Sequence, residues 1–152
     1  MKRWQEIALW VLGTIAVMYG MIYCDVVLRA KEAYQEGEKY WQWTDHPELK
    51  ANFLDGQYSL EKTKLDTQLS KGSLSKEDYD RDLELAQFDR EQALNESSIK
   101  YAYVWYQTAA ELFSPPESKW VKLSREKMPL AKERWKAELH AKGIPFEDYM
   151  ID

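Results

Sequence analysis

Residues 7–24 of this 152-residue chain contain no charged side chain, although the chain as a whole is polar, with a mean hydropathy of −0.65. Extending the run to Leu28 admits only Asp25. At ~1.5 Å per residue, residues 7–28 make a helix of about 33 Å, enough to cross a hydrocarbon layer of ~30 Å. A core helix of a small soluble domain would show a polar face, and none is present here. Trp4 lies at one edge of the run, and Tyr19 and Tyr23 toward the other, as interfacial aromatics do. A cleaved signal peptide is the rival reading, suggested by Met1-Lys2-Arg3 ahead of the run. Signal peptidase needs small residues at alternate positions after the run, and "YGMIYCDVV" offers none of the usual kind. A lipoprotein site at Cys24 would need a small residue where Tyr23 stands. The segment therefore reads as an uncleaved, single-pass anchor.

Lys2 and Arg3 favour a cytoplasmic N-terminus, with Arg29, Lys31 and Lys39 on the opposing side. The expected arrangement is N-in, C-out, in a bacterial inner membrane with the C-terminal part periplasmic. Gly13, Ala16, Gly20 and Cys24 recur at spacings of three and four, forming a stripe of small side chains. Such stripes let a second helix approach closely in lipid, where packing rather than hydrophobicity drives association. This stripe is the expected transmembrane packing face.

The expected fold is all-α, the anchor continuing into an extramembrane helical hairpin or bundle. Three parts are expected: anchor 1–28, helical domain 29–143 and C-terminal tail 144–152. Val27, Ala30, Tyr34, Gly37 and Trp41 continue the helical period as an amphipathic stalk. It should end at "KYWQWTDHPE", where Asp45 and Glu48 have capping-box spacing around Pro47, and a short helix should stop near "LDGQ". Leu65 and Leu69, a stop at Gly72 and a restart at Ser75 and Asp78 predict a helical hairpin. That pattern resembles short helix–glycine–helix oligomerisation modules but identifies no family. A helix is then expected over 75–113, with a seam of Tyr79, Leu83, Ala86, Ala93, Ser97, Tyr101, Val104 and Thr108 interrupted by Arg90. "IKYAYVWYQTAAELF" is apolar over a wide arc, which places it inside the domain or against another protein. "SPPES" breaks the chain, since Pro115 and Pro116 cannot continue a helix, and Glu117 and Ser118 suit a new start. A last helix should put Trp120, Leu123, Leu130 and Trp135 on one side, be kinked or split by Pro129, and end at Gly143.

Beyond Leu28 the formal charge equals that of the whole chain, −5, with both signs mixed. That argues against a nucleic-acid platform, which needs a basic surface. The inventory for chemistry is two histidines, one cysteine and scattered acids, without Cys-x-x-Cys, haem-attachment or phosphate-loop motifs. His46 and His140 read as surface residues, Met18 and Met21 as lipid contacts, "EDYDRDLE" as a helix start, and "NES" at Asn95 as a chance sequon. No enzyme activity, cofactor or metal is expected.

Seven tryptophans and ten tyrosines exceed what one helical seam requires. Trp41, Trp43, Tyr103, Trp105, Tyr106, Trp120 and Trp135 form the candidate partner interface, because Trp and Tyr dominate interface hot spots. The leading expectation is a non-catalytic accessory subunit of a larger membrane complex, with respiratory or photosynthetic electron transfer the first host considered. Its expected contacts are membrane lipid and the transmembrane helices and extramembrane surface of larger subunits. The rival is a membrane-tethered helical adaptor, oligomerisation or sensor protein. A third class, an enzyme or metal chaperone using His46, His140 and nearby acids, is tested by metal analysis.

Overall fold

The computed structural model describes residues 3–147 and residue 151. These form five α-helices and one π-helical turn, with no strand among them: α1 Arg3–Asp45, α2 Pro47–Ser70, α3 Lys76–Asn95, α4 Ser98–Gln107, the π-helical turn Thr108–Leu112, and α5 Lys119–Ala141. The chain is thus all-helical, and α1 is long and apolar enough to cross a membrane. It divides into two compact units, one of Met1–Lys39 with Ile99–Asp152, the other Tyr40–Ser98.

In the second unit, α2 and α3 pair as a hairpin. Leu65 and Tyr79 are buried in it, and the Tyr79 hydroxyl donates to Asp66 Oδ1 at 2.7 Å. Gly72, at φ +70°, closes α2: its N–H reaches Leu69 O and the Ser73 N–H reaches Gln68 O, a Schellman closure. Ser75 then caps α3, its Oγ accepting from the Asp78 N–H at 3.1 Å. Arg90, which interrupts the apolar seam, pairs with Asp55 across the hairpin at 2.6 Å.

Three local expectations are corrected in this unit. The helix begun at Pro47 does not stop near "LDGQ" but runs through Gly56 to Ser70. An internal glycine costs only about 1 kcal/mol relative to alanine, and packing of the helix along α3 outweighs that. His46, not Asp45, holds the N-cap position, without a side-chain cap bond, because α1 continues through Asp45. The helix expected over 75–113 is broken at Glu96 and Ser97, with Glu96 extended. Lys50 on α2 meets the chain at this break. Its buried ammonium donates to Glu96 O at 2.7 Å and Leu94 O at 3.3 Å, satisfying carbonyls that a continuing helix would use. Asn95 of the sequon accordingly ends a helix instead of lying inside one.

Lys50→Met should therefore lose about 1–3 kcal/mol, the cost of leaving a buried acceptor without its donor. Urea unfolding would read the loss, and faster amide exchange at residues 97–99 would localise it.

The first unit is a three-helix packing of the lower stalk of α1, α4 with its π-helical turn, and α5. Its buried surfaces set small residues, Ala30 and Ala33 on α1, Ala102, Ala109 and Ala110 on the middle segment, and Val121, Ser124 and Ala131 on α5, around the larger Ile99, Tyr103 and Tyr106. Ser124 serves as a small side chain there, its hydroxyl without a hydrogen-bond partner among the described residues. This corrects the expected face of α5. Leu123 and Leu130 are 36% and 56% exposed, while residues adjacent to them on the wheel turn inward. The tyrosines of α4 already fill the volume, so α5 meets them with short side chains. Nor does Pro129 split α5, which is continuous from Lys119 to Ala141. Pro129 and Arg125, whose carbonyl loses its helical donor, both lie on the exposed side, where water can replace that bond. Ser118 caps α5, its Oγ accepting from Val121 N–H at 3.3 Å, and Gly143 at φ +65° ends it.

Of the tail, Phe146 lies against the His140 ring at 4.9 Å and Ile151 is buried on the chain itself. The remaining tail positions 148–150 and 152, like Lys2 at the other end, lie outside the described residues.

Candidate functional site

Nearly every residue of α1 from Arg3 to Asp25 is exposed, including Trp4, Trp10, Leu12, Val17 and Met21. Residue 26 is where the helix begins to be covered, and Ala30 is the first fully buried position. No other part of the described chain packs on the apolar half. Exposing so many large apolar side chains to water would cost about 25 cal/mol per Å². By length and composition the segment is long and apolar enough to cross a membrane.

Gly13, Ala16, Gly20 and Cys24 are exposed on this segment. A methyl group added at Gly13 or Gly20 would meet nothing within 4 Å. Neither glycine is there for packing inside the chain. Cys24 is a free, exposed thiol one residue before Asp25, which pairs with Arg29 at 2.8 Å.

The aromatic set divides. Tyr106 is fully buried, and Tyr103 and Trp43 nearly so. Trp43 packs edge-on to Tyr40 and against Phe53, with ring centroids at 4.9 and 5.2 Å. Tyr103 meets Trp135 at 5.8 Å, and Tyr34 lies between Tyr106 at 5.9 Å and Trp120 at 5.6 Å. The surfaces of these three buried rings are occupied by intramolecular packing. Trp41, Trp105, Trp120 and Trp135 remain half-buried, each with part of its ring open.

One polar network lies within this packing, and sequence reasoning did not find it. The Tyr106 hydroxyl donates to Glu38 Oε1 at 2.6 Å, and the Lys127 ammonium stands 3.0 Å from the same oxygen. Burial alone would raise the Glu38 pKa, but the bonds from Tyr106 and Lys127 outweigh it and hold the carboxyl below its ordinary value. Burial and the adjacent carboxylate together push the Tyr106 phenol far above its usual range, and Tyr34 moves the same way. The Tyr106 phenol therefore stays neutral and the Glu38 carboxyl stays ionised near neutrality. They join α1, α4 and α5 as a structural clamp. Glu38 is 68 residues from Tyr106 and 89 from Lys127, so no local pattern marks the set. The only hint is that Glu38 lies one turn beyond Tyr34 on the stalk face.

A groove of about 490 Å³ opens between the stalk and the middle segment, lined by Arg29, Glu32, Ala33, Glu36, Trp105 and Phe113 among others. Among the described residues no group of three or more His, Cys, Asp or Glu is placed to hold a metal ion. His46 faces Glu48 at 3.2 Å on the surface, and His140 carries Phe146.

Comparison with protein families, curated proteins and solved structures gives no match to this chain.

Proposed function

We propose that the chain is a single-pass membrane protein serving as a non-catalytic accessory subunit of a larger membrane complex. The observation that carries this reading is the bare apolar half of α1, which displays Gly13, Ala16 and Gly20 where they serve no contact within the chain. In this reading lipid covers most of the segment and a partner's transmembrane helix seats on the small stripe. The open edges of Trp41, Trp105 and Trp135 supply contacts to the partner's extramembrane surface. Orientation is N-in, C-out across a bacterial inner membrane, and respiratory or photosynthetic assemblies are the first hosts to examine.

The test is mild-detergent extraction from native membranes, then size separation and mass spectrometry of what co-migrates. Gly13→Leu and Gly20→Leu should remain in the membrane fraction yet be lost from the complex. A Cβ added at either position meets nothing within 4 Å, and retention of each variant in the membrane fraction separates loss of the partner from loss of the fold. Retention of both variants at wild-type stoichiometry would refute the packing face.

A tethered adaptor is the second reading, favoured by Leu49, Phe53, Leu60, Leu85 and Phe88, large apolar residues that the α2–α3 hairpin leaves exposed. An adaptor would keep its activity when residues 7–24 are replaced by polyleucine, whereas an accessory subunit would lose its place.

A further inference from the structure

Within the first unit, the direction of each helix fixes the height of the loop joining the π-helical turn to α5. Tyr106 lies against Gly37, with its ring 2.6–3.1 Å from where a Cβ would be, while Phe113 shares a groove with Arg29 and Ala33. The segment α4–π-turn therefore descends along α1 as α1 ascends. α5 then climbs again, with Trp120 beside Tyr34 and Lys127 beside Glu38. The base of this packing, Leu112 to Trp120, stands level with residues 29–34. If the hydrocarbon edge falls at Leu28, that level is about 2–9 Å above it at ~1.5 Å per residue. The headgroup layer on each side of a bilayer is about 5–7 Å deep.

The side chains at this base have the amphipathic character that such a layer selects. Leu112 is 74% exposed although it follows two buried alanines, and Pro115 is exposed beside it. Trp120 is half-buried, with the Lys119 ammonium 4.3 Å and the Lys31 ammonium 5.9 Å from its ring. Lys122 points outward one residue beyond Val121. Of the acids at this level, Glu117 binds Arg125 at 2.9 Å and Glu111 accepts from Gln107 at 3.5 Å, while Glu32 is exposed on α1. A large apolar side chain, an aromatic ring and lysines at one height match the interfacial zone, where apolar groups enter and ammonium groups meet phosphates.

We propose that the Leu112–Trp120 base is a second membrane contact, docking on the headgroup layer of the same bilayer that α1 crosses. The proposal rests on the membrane-spanning reading of α1. It makes the three-helix unit sit down on the lipid surface, with Leu112 inserted, instead of standing clear on its stalk.

The experiment uses the full chain with Cys24→Ser, reconstituted in phosphatidylcholine vesicles. Single cysteines at Ile15→Cys, Leu112→Cys or Leu130→Cys carry a polarity-sensitive fluorophore. All three native side chains are exposed, so the label displaces no core contact. Leu130, on α5 beyond the level of Glu38, is the apolar control for a label that merely prefers lipid. The expected pattern is loss of most emission at Ile15 with acyl-chain nitroxide lipid, at Leu112 with headgroup nitroxide lipid, and at Leu130 only with aqueous iodide. Iodide quenching at Leu112 equal to that at Leu130, with Ile15 still lipid-quenched, overturns the docking and leaves the span standing. Lipid quenching at Leu130 equal to that at Leu112 also overturns it, since no specific base would then exist. Iodide quenching at Ile15 removes the span, and the docking with it.

Discussion

Gly37→Ala is expected to lower the thermal midpoint of the protein, although alanine is the better helix former. At an open helical site the exchange would gain up to about 1 kcal/mol. At Gly37 the new Cβ would stand 2.6 Å from Tyr106 Cε1 and 2.7 Å from Cδ1. Real contacts of that length are essentially never tolerated, so either the ring or the helix must move. The ring is not the loose end of a flexible chain. It is fully buried, packed on Tyr34 and held through its hydroxyl to Glu38. Overpacking of this kind costs about 1–3 kcal/mol, enough to exceed the propensity gain, and Gly37→Leu should lie at or beyond the upper end. For a chain of this size each kcal/mol moves the midpoint by roughly 2–4 °C. Gly56→Ala is the matched control. That glycine is also inside a helix but has nothing within 4 Å of its Cβ position, so the same exchange should raise stability. Circular dichroism melts in detergent would compare the two. Equal stabilisation by both would show that Tyr106 does not lie on Gly37.

Tyr106→Phe is expected to cost about 1.5–3 kcal/mol, the range for hydrogen bonds to charged groups, and to change the pH dependence of stability at both ends. The folded-state pKa of Glu38 is depressed. Its contribution is therefore fully present above the ordinary carboxylate value of 4.5 and is lost as pH falls through the lower folded value. The phenols of Tyr106 and Tyr34 are raised from an ordinary 10.0. Their contribution is complete below that value and declines as pH rises above it toward the folded value. Wild-type stability should thus be flat across the neutral range and fall at both extremes. In Tyr106→Phe the acid limb should shrink because Glu38 loses a donor, and the alkaline limb should shrink because the more strongly shifted phenol is gone. Urea midpoints measured across pH would show this. An acid limb identical in the variant and the wild type would mean that Lys127 alone holds Glu38 ionised.

Neither Gly37 nor the Glu38–Tyr106–Lys127 set could be found from the chain alone, for one shared reason. Gly37 belongs to the stalk period that the sequence displays, yet nothing local says that a ring will lie on it. Glu38 and Lys127 read as two surface charges among many in a polar chain. Both acquire their roles from a tyrosine that arrives from another helix. The aromatics behave alike: by composition Trp43, Tyr103 and Tyr106 are indistinguishable from Trp41, Trp105 and Trp120, yet only the second group keeps open surface.

What the sequence by itself determined is what short-range physics controls. An uncharged stretch of membrane length, the glycine closures at Gly72 and Gly143, the serine caps at Ser75 and Ser118 and the break at Pro115–Pro116 act within a turn or two. Each was legible because its energetics involve only neighbours in the chain. The tertiary structure decided the rest. Lys50 binds carbonyls 44 and 46 residues away at the end of α3, α5 turns Val121, Ser124 and Ala131 inward instead of Leu123 and Leu130, and the Leu112–Trp120 loop stands level with the first residues beyond the apolar run. These outcomes depend on which helix faces meet. Several faces of similar hydrophobicity compete for each contact, and only the close packing of complementary volumes selects among them.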